Sequence, residues 1–158
     1  MTDYIRLADA IRATLLADAW TGNSANVKTI EAHKRGCSLQ DPEDLLSFGD
    51  AELPALTVIA NARPKEQSQE TTNEIRERVR SQVLGVSRHR DAQAGLAAHL
   101  LIVENVERIL EAQKSSSADL GIDAFVQTTF TTQEQFKRGP FYYFVSTTDA
   151  VIELTRTF

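Results

Sequence analysis

Two stretches of the chain carry apolar residues at the three- and four-residue spacing of an amphipathic helix. The first runs from Asp3 to about Ala19, with apolar positions at Ile5, Ala8, Ile11, Leu15 and Ala19. The second runs from Asp91 to about Lys114, where Asp91 is placed to cap the first turn. We therefore predict two main helices, one at the start of the chain and one in its second half.

Other stretches either alternate apolar and polar residues or form short apolar runs, and both patterns are typical of strands. Strands are predicted over Asn26–His33, Leu53–Ala62, Ala124–Gln135, Phe141–Val145 and Val151–Thr155. Lys137–Pro140 reads as a turn before the fourth of these, and Asp149-Ala150 is expected to interrupt the chain before the fifth.

Two polar stretches lie between these elements. Asp41-Pro42 is a good opening for a short helix, because aspartate suits the cap and proline suits the first helical position. Arg63–Thr72 is the least hydrophobic part of the chain, and we expect it to be an exposed connection.

The segment Asn73–Arg90 fits two periodicities. A helix would stack Ile75, Val79 and Val83 at four-residue steps, whereas a strand would place those residues on one face and the arginines 76, 78 and 80 on the other. Periodicity does not choose between them. We favour a long strand with a β-bulge at Gly85, because valine and an internal glycine suit that arrangement.

These elements predict one α+β domain over residues 1–158. A mostly antiparallel sheet would pack against two main helices, in the order α-β-β-β-α-β-β. The chain has 158 residues, of which 42% are hydrophobic and 25% charged, which is typical of one globular domain.

Composition excludes several classes of protein. The formal net charge of −5 argues against a globally basic nucleic-acid binder. The single cysteine, Cys37, excludes an intrachain disulfide and a four-cysteine zinc site. The N-terminal residues show no signal-peptide pattern and no apolar run approaches the roughly 20 residues of a membrane span, so we expect a protein made in the cytoplasm, without membrane contact.

No motif in the chain marks a catalytic, cofactor or metal site. Phosphate-binding glycine loops and a G-x-S-x-G elbow are absent. His33 lies four residues before Cys37, but two ligands do not make a zinc site, and His89 is no better placed. His99 falls inside the second helix, where we expect a buried histidine bonded to a neighbour, or one at the edge of the apolar stripe, rather than a general base. We therefore predict a protein that is not an enzyme and has no cofactor.

Aromatic and basic clusters are the remaining candidates for a site. We expect Phe141–Phe144 to pack on both faces of a strand, because Lys137 and Arg138 are its only neighbouring cations along the chain. If Asn73–Arg88 is a strand, Arg76, Arg78 and Arg80 project together at steps of roughly 6 to 7 Å. Such a row suits a solvated face, a contact with another subunit, or nucleic-acid phosphates.

The order of elements itself carries a resemblance. The features concerned are the helix Asp3–Ala19, the apolar strand Leu56–Ala60, the connection Arg63–Thr72, the segment Glu74–Arg90, the helix from Asp91 through Leu110, and the strands Phe141–Val145 and Val151–Thr155. This layout resembles tail-terminator proteins of long-tailed bacteriophages, and the related tail-completion and neck proteins of prophages. It covers most of the chain, with Asp41–Asp50 departing from it.

The resemblance implies a structural subunit of the virion tail, assembled in the host cytoplasm. Copies would form a ring, typically a hexamer, that caps the tail-tube protein, ends its polymerisation and offers the docking surface for the head–neck connector. DNA would pass through without specific binding. We expect Arg76, Arg78 and Arg80, or the polar connection Arg63–Thr72 before them, to contribute to the subunit interface or to line the lumen. The alternatives are another neck or head-completion adaptor, and a regulatory α+β domain that binds a small ligand.

Overall fold

The computed structural model describes residues 4–32, 48–59, 66–70, 74–113 and 124–157. Its elements in chain order are α1 Tyr4–Ala17, β1 Thr29–Ala32, a 3-10 turn Asp50–Glu52, β2 Ala55–Ile59, β3 Glu66–Glu70, β4 Glu74–His89, α2 Ala92–Glu111, β5 Ala124–Arg138 and β6 Phe141–Thr157. The predicted α+β class is confirmed, and the predicted order holds with one additional strand, β3.

The strands form one six-stranded sheet in the order β1-β2-β4-β6-β5, and β3 pairs with β4. Only β1 and β2 are parallel; every other neighbouring pair is antiparallel. The three longest strands, β4, β6 and β5, lie side by side and make up most of the sheet. The predicted mostly antiparallel sheet is therefore confirmed.

Helix α2 begins where the sequence predicted. The Asp91 side chain accepts a hydrogen bond from the Ala94 N–H at 2.8 Å, which caps the first turn. The buried side of α2 lies on the sheet, and an ion pair of 2.9 Å between Arg108 and Asp18 joins α2 to the residue just after α1. Both predicted helices therefore lie on the same side of the sheet.

Two apolar clusters cover the two faces of the sheet. The larger cluster lies between the sheet and both helices; we call this side the helix face. The smaller cluster is on the opposite side, which we call the open face, and Phe48 and Leu53 pack there on Leu84, Val86 and Tyr143. Because this second cluster occupies one end of the open face, the other end is left to polar side chains.

The ambiguous segment is a strand, as favoured. In β4, Glu77, Val79, Ser81 and Val83 are buried while the arginines between them are exposed, which is the predicted alternation. The predicted bulge at Gly85 is wrong, since β4 pairs with β6 without a register shift through Gly85. A Cβ there would lie 2.8 Å from Ser146 Oγ and 3.3 Å from Leu56 Cδ2, so the glycine permits close packing instead.

Two other predictions are wrong. Asp149-Ala150 does not interrupt the last strand, because both residues are paired on either side, with β4 and with β5. The connection Arg63–Thr72 is not wholly irregular, because it contains β3, which pairs with the part of β4 that extends beyond β2. The helix predicted to open at Asp41 lies outside the described residues.

The turn between β5 and β6 is confirmed. Arg138 pairs with Phe141, so the loop consists of Gly139 and Pro140 alone. Gly139 has a φ of 59°, followed by proline with its fixed negative φ, which is the pattern of a type II′ hairpin turn. This turn sets the register between β5 and β6.

Candidate functional site

The predicted arginine row projects from the open face. Arg76, Arg78 and Arg80 are all exposed, and they lie directly across from Thr155, Glu153 and Val151 of β6. Side chains of directly opposite residues share a face of the sheet. Leu84 and Val86 of the same strand face belong to the second apolar cluster, which fixes the row on the side away from both helices.

A buried carboxylate lies within this row. Glu153 is 8% exposed and sits opposite Arg78. The Gln127 side-chain amide donates a hydrogen bond to Glu153 Oε2 at 2.6 Å, and Arg76 Nη1 is 3.8 Å from the other carboxylate oxygen. Glu153 therefore holds the base of the row in place, while the Arg76 side chain remains 46% exposed. Such guanidinium groups are suited to carboxylates or phosphates on a partner.

A second basic cluster lies at the other end of the open face. Arg88 pairs with Asp50 at 2.9 Å, and its guanidinium lies 4.2 Å from the ring centre of Phe141. Arg90, just after β4, stands over the same ring at 5.3 Å. On the opposite face of the hairpin, Lys137 Nζ is 5.4 Å from the ring centre of Tyr142. Sequence reasoning missed the cluster on the open face because Phe141 comes from β6, far along the chain from the two arginines.

The aromatic run packs on both faces, as predicted. Tyr143 is buried in the second cluster on the open face, where it stacks on Phe136. Phe144 is fully buried on the helix face and stacks on His99 at 6.1 Å between ring centres. The aromatic rings near the hairpin turn therefore contribute mainly to packing, and their contacts with cations are secondary.

His99 is a buried histidine bonded to a neighbour, as predicted. Its Nδ1 lies 2.7 Å from Ser87 Oγ, and its side chain is fully buried. Among the described residues no group bonds to its Nε2. Burial lowers the pKa of His99 from 6.5 to about 4, because a charged ring would be desolvated there. The ring is therefore neutral at pH 7.

A cleft of about 280 Å³ opens beside this histidine. Its lining includes Trp20, Asn26, Ser87, Leu101 and Ile102, which is a largely apolar wall with a few polar groups. Ligand sites commonly measure about 300 to 1,000 Å³. The cleft is thus at the small end of what a metabolite needs.

Of the remaining chemistry-bearing residues, His89 is described and belongs to no group of potential metal ligands in the described ranges. His33 and Cys37 lie outside the described residues. His89 is exposed, and its Nδ1 accepts a hydrogen bond from the Asp91 N–H at 2.9 Å. In the described ranges no three His, Cys, Asp or Glu side chains group as metal ligands would.

Comparison of the chain with protein-family models and with curated proteins finds no match. Neither helix in the described part of the chain is long and apolar enough to cross a membrane. The candidate site therefore has to be interpreted from its own geometry.

Proposed function

We propose that the protein is a structural subunit resembling phage tail terminators, which forms a ring on the end of a tail tube and stops its growth. The observation that carries the proposal is the open face, where Arg76, Arg78 and Arg80 are exposed on a long strand away from the helices. In this proposal the protein works by assembly, so it requires no catalytic residue and no cofactor.

The arginine row is the proposed contact surface. Adjacent subunits in a closed ring meet through two different surfaces, so a basic face needs an acidic counterpart. The chain has 22 acidic and 17 basic residues, and the proposal requires some of the acidic ones to form the counterpart on a second copy. The alternative position for the row is the lumen, where passing DNA would meet it without sequence-specific contacts. The tail-tube protein and the head–neck connector are the other proposed partners, on the virion tail.

Charge reversal tests the row. Arg78→Glu would put a carboxylate beside Glu153, and Arg80→Glu would make the same change beside uncharged Val151. Glu104→Lys is the matched control, because it reverses an exposed charge on α2, away from this face. We expect both arginine variants, but not the control, to lower the mass of the assembly measured by light scattering. We also expect them, in a tail-length assay, to give tubes whose length is no longer limited. Unchanged rings and unchanged tail length in Arg80→Glu would refute the role.

The cleft beside His99 supports a second candidate, a regulatory domain that binds a small ligand. Its walls are mostly apolar, and the polar residues that line it are Asn26, Ser87, Arg88 and His89. A screen of small metabolites by thermal shift tests it, with Leu101→Trp filling the cleft as the control. A ligand that stabilises the wild-type protein but not the filled variant would favour this function over the structural one.

A further inference from the structure

We propose that β5 is the strand through which one copy joins the next, by pairing with the opposite edge of the sheet of a second copy. The inference names the contact by which the proposed ring would close, and to that extent it rests on the proposed function. It assigns the arginine row to the lumen, the alternative position given above, rather than to the contact between subunits. Within the described residues, the partner edge is the one that β1 forms. The result would be a sheet that runs from subunit to subunit.

β5 is an outer edge of the sheet. Within the described residues it pairs with β6 and with no other strand. The Val126 N–H at its start is already used, because it donates to the Gln113 carbonyl at 2.8 Å. From Thr128 to Arg138 the outward backbone groups meet no further strand of the described chain. A row of outward N–H and C=O groups of this length is a template for another strand.

The middle of this edge lacks the features by which proteins block strand addition. Such features are lysine, proline, inward-pointing charges and bulges. In β5 the register shift lies between Val126 and Thr128, and the first charged residue after it is Glu134. The stretch Thr128–Gln133 between them reads TTFTTQ, which is rich in β-forming residues. Phe130, at its centre, is 65% exposed.

Helix α2 holds this edge in order. Thr131 Oγ1 donates a hydrogen bond to Glu107 at 2.6 Å, and Thr129 Oγ1 donates to Glu111 at 3.4 Å. The strand is thereby fixed along its helix face before any partner arrives. A preformed edge loses less conformational entropy on pairing than a loose one does.

The strand directions favour a second copy as the partner. β5 and β4 run in the same direction, since both are antiparallel to β6. β1 is parallel to β2, which is antiparallel to β4, so β1 runs opposite to β5. A second copy moved sideways in the same orientation therefore presents β1 antiparallel to β5. Its helices would stay on the helix face and its arginines on the open face.

The levels of the two edges also match. Following the cross-strand partners from Thr29 through Ala55, Val86 and Val145 leads to Glu134. The same path from Ala32, at the other end of β1, leads to Thr131. The four residues of β1 thus lie level with Thr131–Glu134, so the two edges meet without sliding along the strands. Since the contact joins two different edges, it repeats from copy to copy.

The test measures mass and amide exchange together on the full chain. Light scattering after size exclusion gives the mass over a concentration series, and hydrogen exchange with mass spectrometry follows the amides of residues 128–135. Phe130→Lys places a charge at the centre of the edge; Leu100→Lys is the control, because Leu100 is also exposed, at 40%, but lies on α2. We expect protection of residues 128–135 to rise with assembly, and Phe130→Lys to weaken assembly by about tenfold or more, as edge charges oppose strand pairing.

Four outcomes would overturn the inference: a monomer at every concentration, assembly without protection of residues 128–135, assembly unaffected by Phe130→Lys, or a closed dimer formed by β5 on β5. Different outcomes would contradict the proposed function. If β5-dependent rings form but leave tube length unregulated in the tail-length assay, the interface stands and the terminator role does not. If rings form without β5 and do regulate tube length, only the interface is wrong.

Discussion

Acid should destabilise the protein through His99. The ring is fully buried, bonded to Ser87 on one nitrogen, and stacked on Phe144. A proton on Nε2 would find no acceptor among the described residues. The folded protein therefore resists protonation, and burial lowers the pKa of His99 from 6.5 to about 4. The unfolded chain has no such restriction.

The sign and size of the effect follow from this difference. Because the unfolded state binds the proton more readily below pH 6.5, stability is fully present above that pH and is lost as the pH falls towards 4. At about 1.4 kcal/mol per pKa unit, the whole window is worth roughly 3 kcal/mol, of which about 2 kcal/mol is lost between pH 7 and pH 5. The pKa of Asp18 is lowered from its ordinary value of 3.8, so this carboxylate changes stability below the pH window of His99 and does not contribute to the loss measured within it.

Urea unfolding at pH 7, 6 and 5 measures the loss. His99→Gln keeps a group that can bond to Ser87 but cannot titrate, so it should flatten the pH dependence although it is less stable at pH 7. Val106→Ala is the control, because it removes buried apolar atoms from the same helix without changing a titrating group, and it should lower stability by a similar amount at each pH. If wild type and His99→Gln lose stability in parallel from pH 7 to pH 5, the buried neutral histidine is not the cause.

Three further substitutions test the packing and the helix start, each by the midpoint of urea unfolding. Gly95→Ala should lower the free energy of unfolding by about 1–3 kcal/mol, because its Cβ would lie 2.5 Å from a Phe144 ring carbon and 2.7 Å from the His89 Cβ. The control is Gly49→Ala, where no atom is nearer than 4.0 Å to the added Cβ, and it should change stability by less than about 0.5 kcal/mol. Phe144→Ala should cost about 3–5 kcal/mol, since the ring is fully buried, and a smaller loss would mean that α2 closes over the cavity. Asp91→Ala should cost about 1 kcal/mol through the lost cap, whereas Asp91→Ser should be nearly neutral.

The fold class could be predicted because its signals are local. An apolar stripe with Asp91 before it predicts a helix start, and a Gly-Pro turn between two β-forming runs predicts a hairpin. The arginine alternation in β4 was equally readable once a strand was chosen. Each of these depends on residues within a few positions of one another, which is what sequence patterns report.

The errors all come from contacts between distant residues. Gly85 was interpreted as a bulge because the sequence does not show Leu56 and Ser146 closing on it from two neighbouring strands. Asp149 looked like a break because its pairing on both sides is supplied by β4 and β5. The stretch that contains β3 is polar, and it pairs because β4 extends beyond the end of β2 and offers an edge there.

The same reasoning explains why the two candidate surfaces belong to one rigid body. α2 contacts β5 through Thr131 and Glu107, and it contacts β4 through His99 and Ser87. β6 lies between these strands and pairs with both along its length. A displacement of the β5 edge relative to the arginine row would have to break bonds on the helix face and in the sheet together. A partner strand that fixes β5 therefore also fixes the direction in which the arginines point, so assembly through the edge would present the row in one orientation in every subunit.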